Sequence, residues 1–114
     1  MTEHDLLQQL RNAPESLVFA DIIAVIDSHY AFSPAGFRNG DTYNDAGQNN
    51  GSCKVFAFAR LHQLDAATTL GLFAEHYRAV LATPEGSDHA NIRNFMRSGW
   101  DGIQFDDTPL MARA

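Results

Sequence analysis

The stretch from residue 36 to residue 52 constrains the fold of this chain more than any other feature. Eleven of its seventeen residues are Gly, Asn, Asp or Ser, which favour turns and hydrogen-bond to their own backbone. The whole chain has 114 residues, enough for one domain with its own core. We therefore expect a single domain over residues 1–114, with this Gly/Asn-rich segment as a long loop packed over one end.

Helical periodicity is clear before this segment. Apolar residues recur at i, i+3, i+4, i+7 and i+11 from Phe19 to Tyr30, which predicts a helix over about residues 14–30. Thr2 and Asp5 form a weak capping box, which predicts that an earlier helix begins there.

Helices also dominate after the Gly/Asn-rich segment. We expect one helix from Cys53 to about Leu64, with Ser52 as its cap, and a second from the N-cap Asp65 to about residue 82. A further helix follows residue 87, capped by Ser87 or Asp88. Residues 103–105 form a short strand or an extended cover on the core. The predicted fold is mainly α, a small bundle of four or five helices with a long loop and a short C-terminal strand.

The net charge and the lengths of the apolar runs limit the partners and the cellular location that we expect. Fourteen acidic residues against eight basic ones give a net charge of −6, which disfavours non-specific binding to nucleic acid or to an anionic membrane. No apolar run in the sequence approaches the ~20 residues of a membrane span, and no secretory signal precedes the first helix. With a single cysteine, the sequence is typical of a cytoplasmic protein.

Cys53 follows Gly51 and Ser52 at the start of a predicted helix. One interpretation is a buried small side chain. The alternative is a small hydrolase or transferase in which the helix N-terminus and Lys54 lower the thiol pKa and His89 is the base. A papain-type enzyme also opens a helix with Gly-Ser-Cys, but its partner histidine lies ~130 residues or more downstream, and this chain is too short for that spacing.

The five histidines predict no metal site or cofactor by their spacing, since none forms an i, i+4 pair or a His-Glu-x-x-His motif. A metal-binding module built from His76 or His89 and separated carboxylates remains an alternative. We expect no cofactor.

Polar residues crowd the start of the helix after residue 87. Asp88, His89, Asn91 and Arg93 could together receive an anion or a carboxylate at the helix N-terminus. Equally, Asp88 could cap the helix while Arg93 pairs with an acidic neighbour. Farther along, Gly99 is predicted to end this helix as a C′ residue in the left-handed conformation. This position places Trp100 in contact with Phe95.

Several blocks of the sequence resemble the bacterial HopJ family, often labelled type III effectors. They are Phe37–Gly40, Asn44–Ala59, Leu70–Phe73, Tyr77–Leu81, Pro84–Gly86, Asp88–Met96 and Gly99–Phe105, which together cover almost the whole chain. The resemblance implies delivery into a host cell by type III secretion, and it implies no catalytic residue. The first twenty residues are rich in Leu and contain one serine, unlike a polar, Ser-rich secretion signal, so a cytoplasmic location is expected and secretion is the alternative.

The resemblance also indicates that these polar segments belong to one sequence pattern of the family. It suggests a shared pocket for an unidentified protein or small-molecule ligand, lined by Asn44, Cys53, Lys54, His89, Asn91, Arg93 and Trp100. We therefore expect a binding or interaction protein.

Overall fold

The computed structural model describes residues 1–113, which hold six α-helices and five short β-strands. The helices are α1 (Glu3–Asn12), α2 (Phe19–His29), α3 (Asn50–Leu61), α4 (Ala66–Gly71), α5 (Glu75–Ala82) and α6 (Ala90–Ser98). The strands are β1 (Tyr30–Phe32), β2 (Phe37–Asn39), β3 (Thr42–Asn44), β4 (Ile103–Phe105) and β5 (Leu110–Ala112). Two short 3₁₀ helices cover Pro14–Ser16 and Gly99–Gly102.

The strands form two antiparallel sheets, so the fold is α+β and the prediction of a mainly α bundle is wrong. β1 pairs with β5, with Tyr30 opposite Ala112. β2 lies between β3 and β4, with Phe37 opposite both Asn44 and Phe105. The strands have three residues each, too few to show a period of two. Two of the three strand pairings join distant parts of the chain, so no local sequence pattern predicts them.

The Gly/Asn-rich segment contains the β2–β3 hairpin, so its prediction as a continuous loop is also wrong. Gly40 begins the two-residue turn with a φ of +60°, a conformation that glycine adopts without steric cost. Phe37 and Asn39 are buried while Arg38 between them is exposed. The sequence does not show this alternation of buried and exposed residues, because Asn39 and Asn44 on the buried face are polar.

The predicted helix over residues 65–82 is divided into α4 and α5. Asp65 is its N-cap as predicted, and its carboxylate accepts a hydrogen bond from the Thr68 N–H at 2.8 Å. Leu72, Phe73 and Ala74 are all buried. Three consecutive residues cannot share one face of a surface helix, so the chain turns to bury all three, and Ala74 takes a φ of +53°.

The other helix boundaries differ from the prediction by a few residues. The Thr2–Asp5 capping box of α1 is confirmed. The predicted helix over 14–30 begins at Phe19, after a 3₁₀ turn, and Tyr30 belongs to β1. The third predicted segment is a helix, but it begins at Asn50 rather than Cys53, and Asn49 rather than Ser52 is the N-cap.

α3 runs through the middle of the hydrophobic core. Its five consecutive residues from Val55 to Ala59 are all buried, which explains why this segment lacks a clear amphipathic pattern. Phe56 contacts the aromatic rings of Phe37, Phe73, Phe95 and Trp100 at centroid distances of 4.9 to 6.3 Å. The core therefore holds α3, α6 and the β2–β3 hairpin in one rigid arrangement.

Candidate functional site

A cleft of about 410 Å³ lies where α3 and α6 begin, and we call it the histidine cleft. The first turn of α5 and the β2–β3 hairpin complete its walls. The residues that line it are Phe19, Thr42, Asn44, Asn49, Gly51, Ser52, Phe73, His76, His89, Ala90, Asn91 and Ile92.

Two helix N-termini open into the histidine cleft without side-chain caps. Asn49 and His89 precede α3 and α6 with φ of +51° and +53°, and neither side chain caps its helix within residues 1–113. The backbone N–H groups of Gly51, Ser52 and Asn91 have no hydrogen-bond acceptor in the same part of the chain. Such groups carry the partial positive charge of a helix N-terminus and attract anions.

Two imidazoles lie side by side in the histidine cleft. The ring centroids of His76 and His89 are 5.1 Å apart. His76 also packs edge-on against Phe19 at 4.8 Å, and Phe19 stacks on the buried Phe73. The orientation of His76 is therefore set by the core.

Four asparagines form a hydrogen-bond network beside the cleft. Asn44 and Asn91 exchange two side-chain amide bonds of 3.1 Å each. The Asn49 amide donates to Asn44 Oδ1 at 2.7 Å, which holds the start of α3 against the hairpin. Asn39 Nδ2 donates to the backbone oxygen and Oδ1 of Asn91, at 2.8 and 2.9 Å. The network therefore ties α3 and α6 to the hairpin.

Arg93 lies in the first turns of α6, but its side chain contacts the loop before this helix and does not line the cleft. Its guanidinium donates to Asp88 Oδ1 at 2.7 Å and to the Thr83 backbone oxygen at 2.9 Å. The hydrogen bond from Arg93 lowers the pKa of Asp88. The charge of Asp88, whose carboxylate is 3.9 Å from His89 Nε2, is thus offset by a neighbouring cation.

Cys53 and Lys54 point away from the histidine cleft. The Cys53 thiol is buried and donates to the Ala35 backbone oxygen at 3.8 Å. Burial raises the pKa of Cys53, which is opposite to the lowering that the hydrolase or transferase alternative requires. Lys54 instead pairs with Asp27 at 2.8 Å and lies over the Phe32 ring.

Trp100 is partly buried and packs against the core. Its Nε1 donates to the Leu64 backbone oxygen at 2.8 Å, and its ring packs edge-on against Phe56 and Phe95, the predicted neighbour. The Arg60 guanidinium covers the ring at 5.2 Å. These contacts engage the Trp100 side chain in packing.

Of the seven residues expected to share a pocket, Asn44, His89 and Asn91 line the histidine cleft, whereas Cys53, Lys54, Arg93 and Trp100 do not. The pocket prediction left out His76, Ser52 and Phe19. The only sequence signal for His76 is its place on the flank of the apolar face of its helix.

Within residues 1–113, no group of three or more His, Cys, Asp or Glu is arranged to hold a metal ion. In this same described part, none of the helices has both the length and the apolar character needed to cross a membrane.

Comparisons with known proteins agree with the architecture. A crystal structure of the unknown function protein VPA0580 is similar, with a TM-score of 0.96 and 50% sequence identity. The match covers 99% of this chain and 95% of that chain. Among curated proteins, none matches. The family model described as HopJ type III effector protein matches residues 3–110. This chain therefore belongs to the HopJ type III effector protein family.

Proposed function

We propose that this protein binds a small anionic molecule, carrying a phosphate or carboxylate group, in the histidine cleft. The observation that carries the proposal is the convergence of two uncapped helix N-termini and two imidazoles on one cavity of about 410 Å³. A cavity of this size is typical of small-molecule sites.

The electrostatics of the cleft favour an anion although the whole protein is acidic. The free N–H groups at the start of α3 and α6 supply fixed donors, and imidazoles add positive charge when they are protonated. The carboxylates that precede the two histidines in the sequence are both engaged. Asp88 pairs with Arg93, and Glu75 accepts a hydrogen bond from the Phe19 N–H at 2.7 Å.

The cleft is also preorganised. The asparagine network holds the first turns of both helices, so binding needs little ordering of the chain. Ser52 adds a hydroxyl to the lining, which can donate to an anionic oxygen.

Titration with inorganic phosphate, followed by amide NMR, tests the proposal. We expect the backbone signals of Gly51, Ser52 and Asn91 to shift in a saturable manner. His76→Gln and His89→Asn should each weaken phosphate binding about tenfold, which corresponds to ~1.4 kcal/mol. Asn is chosen at position 89 because it tolerates a positive φ.

The matched control is His4→Gln, which removes an exposed histidine of α1 outside the cleft. It should bind phosphate like the parent protein. Signals that do not move with phosphate, or that move equally in all three variants, would overturn the proposal.

The family suggests a second proposal, delivery into a host cell by type III secretion. The family description, which names a type III effector, supports it. A reporter fused to the C-terminus of this chain should reach host cells from bacteria with an intact type III apparatus and not from an isogenic strain without it. Equal delivery, or none, from both strains would contradict secretion.

A further inference from the structure

A second cavity, of about 510 Å³, lies between α1, α4 and α5, and we call it the arginine groove. It shares no lining residue with the histidine cleft. Its lining consists of Leu10, Arg11, Pro14, Glu15, Ala67, Thr68, Gly71, Ala74, Tyr77, Arg78 and Leu81.

Most of the arginine groove is apolar, and the absence of a side chain at Gly71 keeps its floor open. A methyl group at Gly71 would lie 3.0 Å from Leu10 Cδ1 and 3.8 Å from Pro14 Cβ. Leu81 also lines the groove while half of its surface is exposed to solvent. A concave, mostly apolar lining with a few polar groups is typical of a site that receives an apolar ligand.

The charged residues that line the arginine groove determine which class of apolar ligand it can bind. Arg11 and Arg78 face a single acidic residue, Glu15, so the lining has a formal charge of +1 on a protein of net charge −6. Arg11 has no carboxylate within ion-pair distance in residues 1–113. Arg78 donates one hydrogen bond, to the Leu17 backbone oxygen at 3.1 Å, which orients its guanidinium.

We propose that the arginine groove binds a medium-chain amphiphilic anion, such as a fatty carboxylate. The alkyl chain packs on Leu10, Ala67 and Leu81, and the carboxylate pairs with Arg11 at the solvent edge. An uncharged amphiphile of the same length would lose the ion pair but keep the apolar contacts.

Calorimetric titration with octanoate and decanoate, below the concentrations at which they form micelles, tests the proposal. We expect binding that strengthens by about fourfold for each methylene group that the groove covers. Arg11→Gln should weaken decanoate binding about threefold, as loss of an exposed ion pair does, and leave decanol binding unchanged. Ala67→Trp fills the groove and should abolish the binding of both probes.

Two matched control variants distinguish a loss of binding in the groove from general effects of the substitutions on the protein. Ala79→Trp adds the same side chain to an exposed position of α5 outside the groove, and Arg38→Gln removes an exposed arginine of β2. Both should bind decanoate like the parent protein. No decanoate binding, equal binding by Ala67→Trp and the parent protein, or equal weakening by Arg11→Gln and Arg38→Gln would overturn the proposal. Phosphate binding in the histidine cleft involves other residues, so either site can fail without the other.

Discussion

Asn44 in β3 and Asn91 in α6 exchange two side-chain hydrogen bonds, each amide donating to the other's oxygen at 3.1 Å. Both residues are buried, and 47 positions separate them in the chain. A buried amide pair of this kind is stable only when its donors and acceptors are matched. It is one of the contacts that fix the hairpin relative to the start of α6, and both residues line the histidine cleft.

Asn91→Ala tests the energetic role of this pair. The substitution leaves Asn44 Nδ2 without its closest acceptor and removes one of the two acceptors of Asn39 Nδ2. Because both donors are buried, we expect the free energy of unfolding to fall by about 2 kcal/mol in urea denaturation. Asn50→Ala, at an exposed position of α3, should change it by less than about 0.5 kcal/mol. Equal effects of the two substitutions would contradict the importance of the network.

Stability at acidic pH depends on Glu3, whose carboxylate contacts the Tyr30 hydroxyl and lies 2.5 Å from His62 Nε2. Burial raises the pKa of Glu3, but the hydrogen bonds from Tyr30 and His62 together outweigh it and lower this pKa. A lowered pKa in the folded state means that the ionised form stabilises the fold. This contribution is complete above the ordinary glutamate pKa and is lost as the pH falls through the lowered value.

We therefore expect Glu3→Gln to destabilise the protein most at neutral pH. The difference in unfolding free energy from the parent protein should shrink as the pH falls below about 4.3, where glutamate in the unfolded chain becomes protonated. Glu85→Gln, at an exposed position between α5 and α6, is the control for the loss of one carboxylate. A constant difference across the pH range would rule out the proposed linkage.

Stability at alkaline pH depends on Tyr30. Burial and the Glu3 carboxylate raise the pKa of Tyr30 to about 12. Because the neutral phenol is favoured in the folded state, its contribution is complete below the ordinary pKa of about 10 and is lost as the pH rises to about 12. Tyr30→Phe should reduce the loss of stability measured between these two pH values. An identical alkaline profile for both proteins would count against this assignment.

The reactivity of Cys53 distinguishes a core residue from a nucleophile. Because the thiol is buried and its pKa is raised, we expect its reaction with a thiol-specific reagent at neutral pH to be much slower than that of free cysteine. Labelling should become fast in denaturant. Labelling of the native protein at the rate of free cysteine would contradict this prediction and would revive a hydrolase or transferase that uses Cys53.

Trp100→Phe tests whether Trp100 stabilises the fold or contributes to binding. The substitution removes the Nε1 hydrogen bond to the Leu64 oxygen and part of the ring that Arg60 covers. We expect the free energy of unfolding to fall by about 1–2 kcal/mol and phosphate binding to stay unchanged. A loss of phosphate binding at unchanged stability would instead assign Trp100 to the site.

The candidate site was predictable in part. Asn44, His89 and Asn91 were expected in one pocket because the polar segments that contain them resemble one family pattern. His76 does not, since its position in the cleft depends on the turn over residues 72–74 and on the packing of Phe19. Cys53 is buried, as one of its two interpretations predicted, but it does not begin the helix because α3 begins at Asn50. Its own N–H already bonds to the Asn49 oxygen, so it lies beyond the free donors of the first turn.

The sequence by itself determined the helices, their approximate order and two of their caps. These features depend on residues three or four apart, which a single stretch of chain contains. Only the tertiary structure decided the two sheets, the division between α4 and α5, and the histidine cleft. Each of these depends on burial and on contacts between segments far apart in the chain. The Gly/Asn-rich segment shows the difference. Asn39 and Asn44 predict turns when considered alone, and they become buried strand residues once α6 supplies their hydrogen-bond partners.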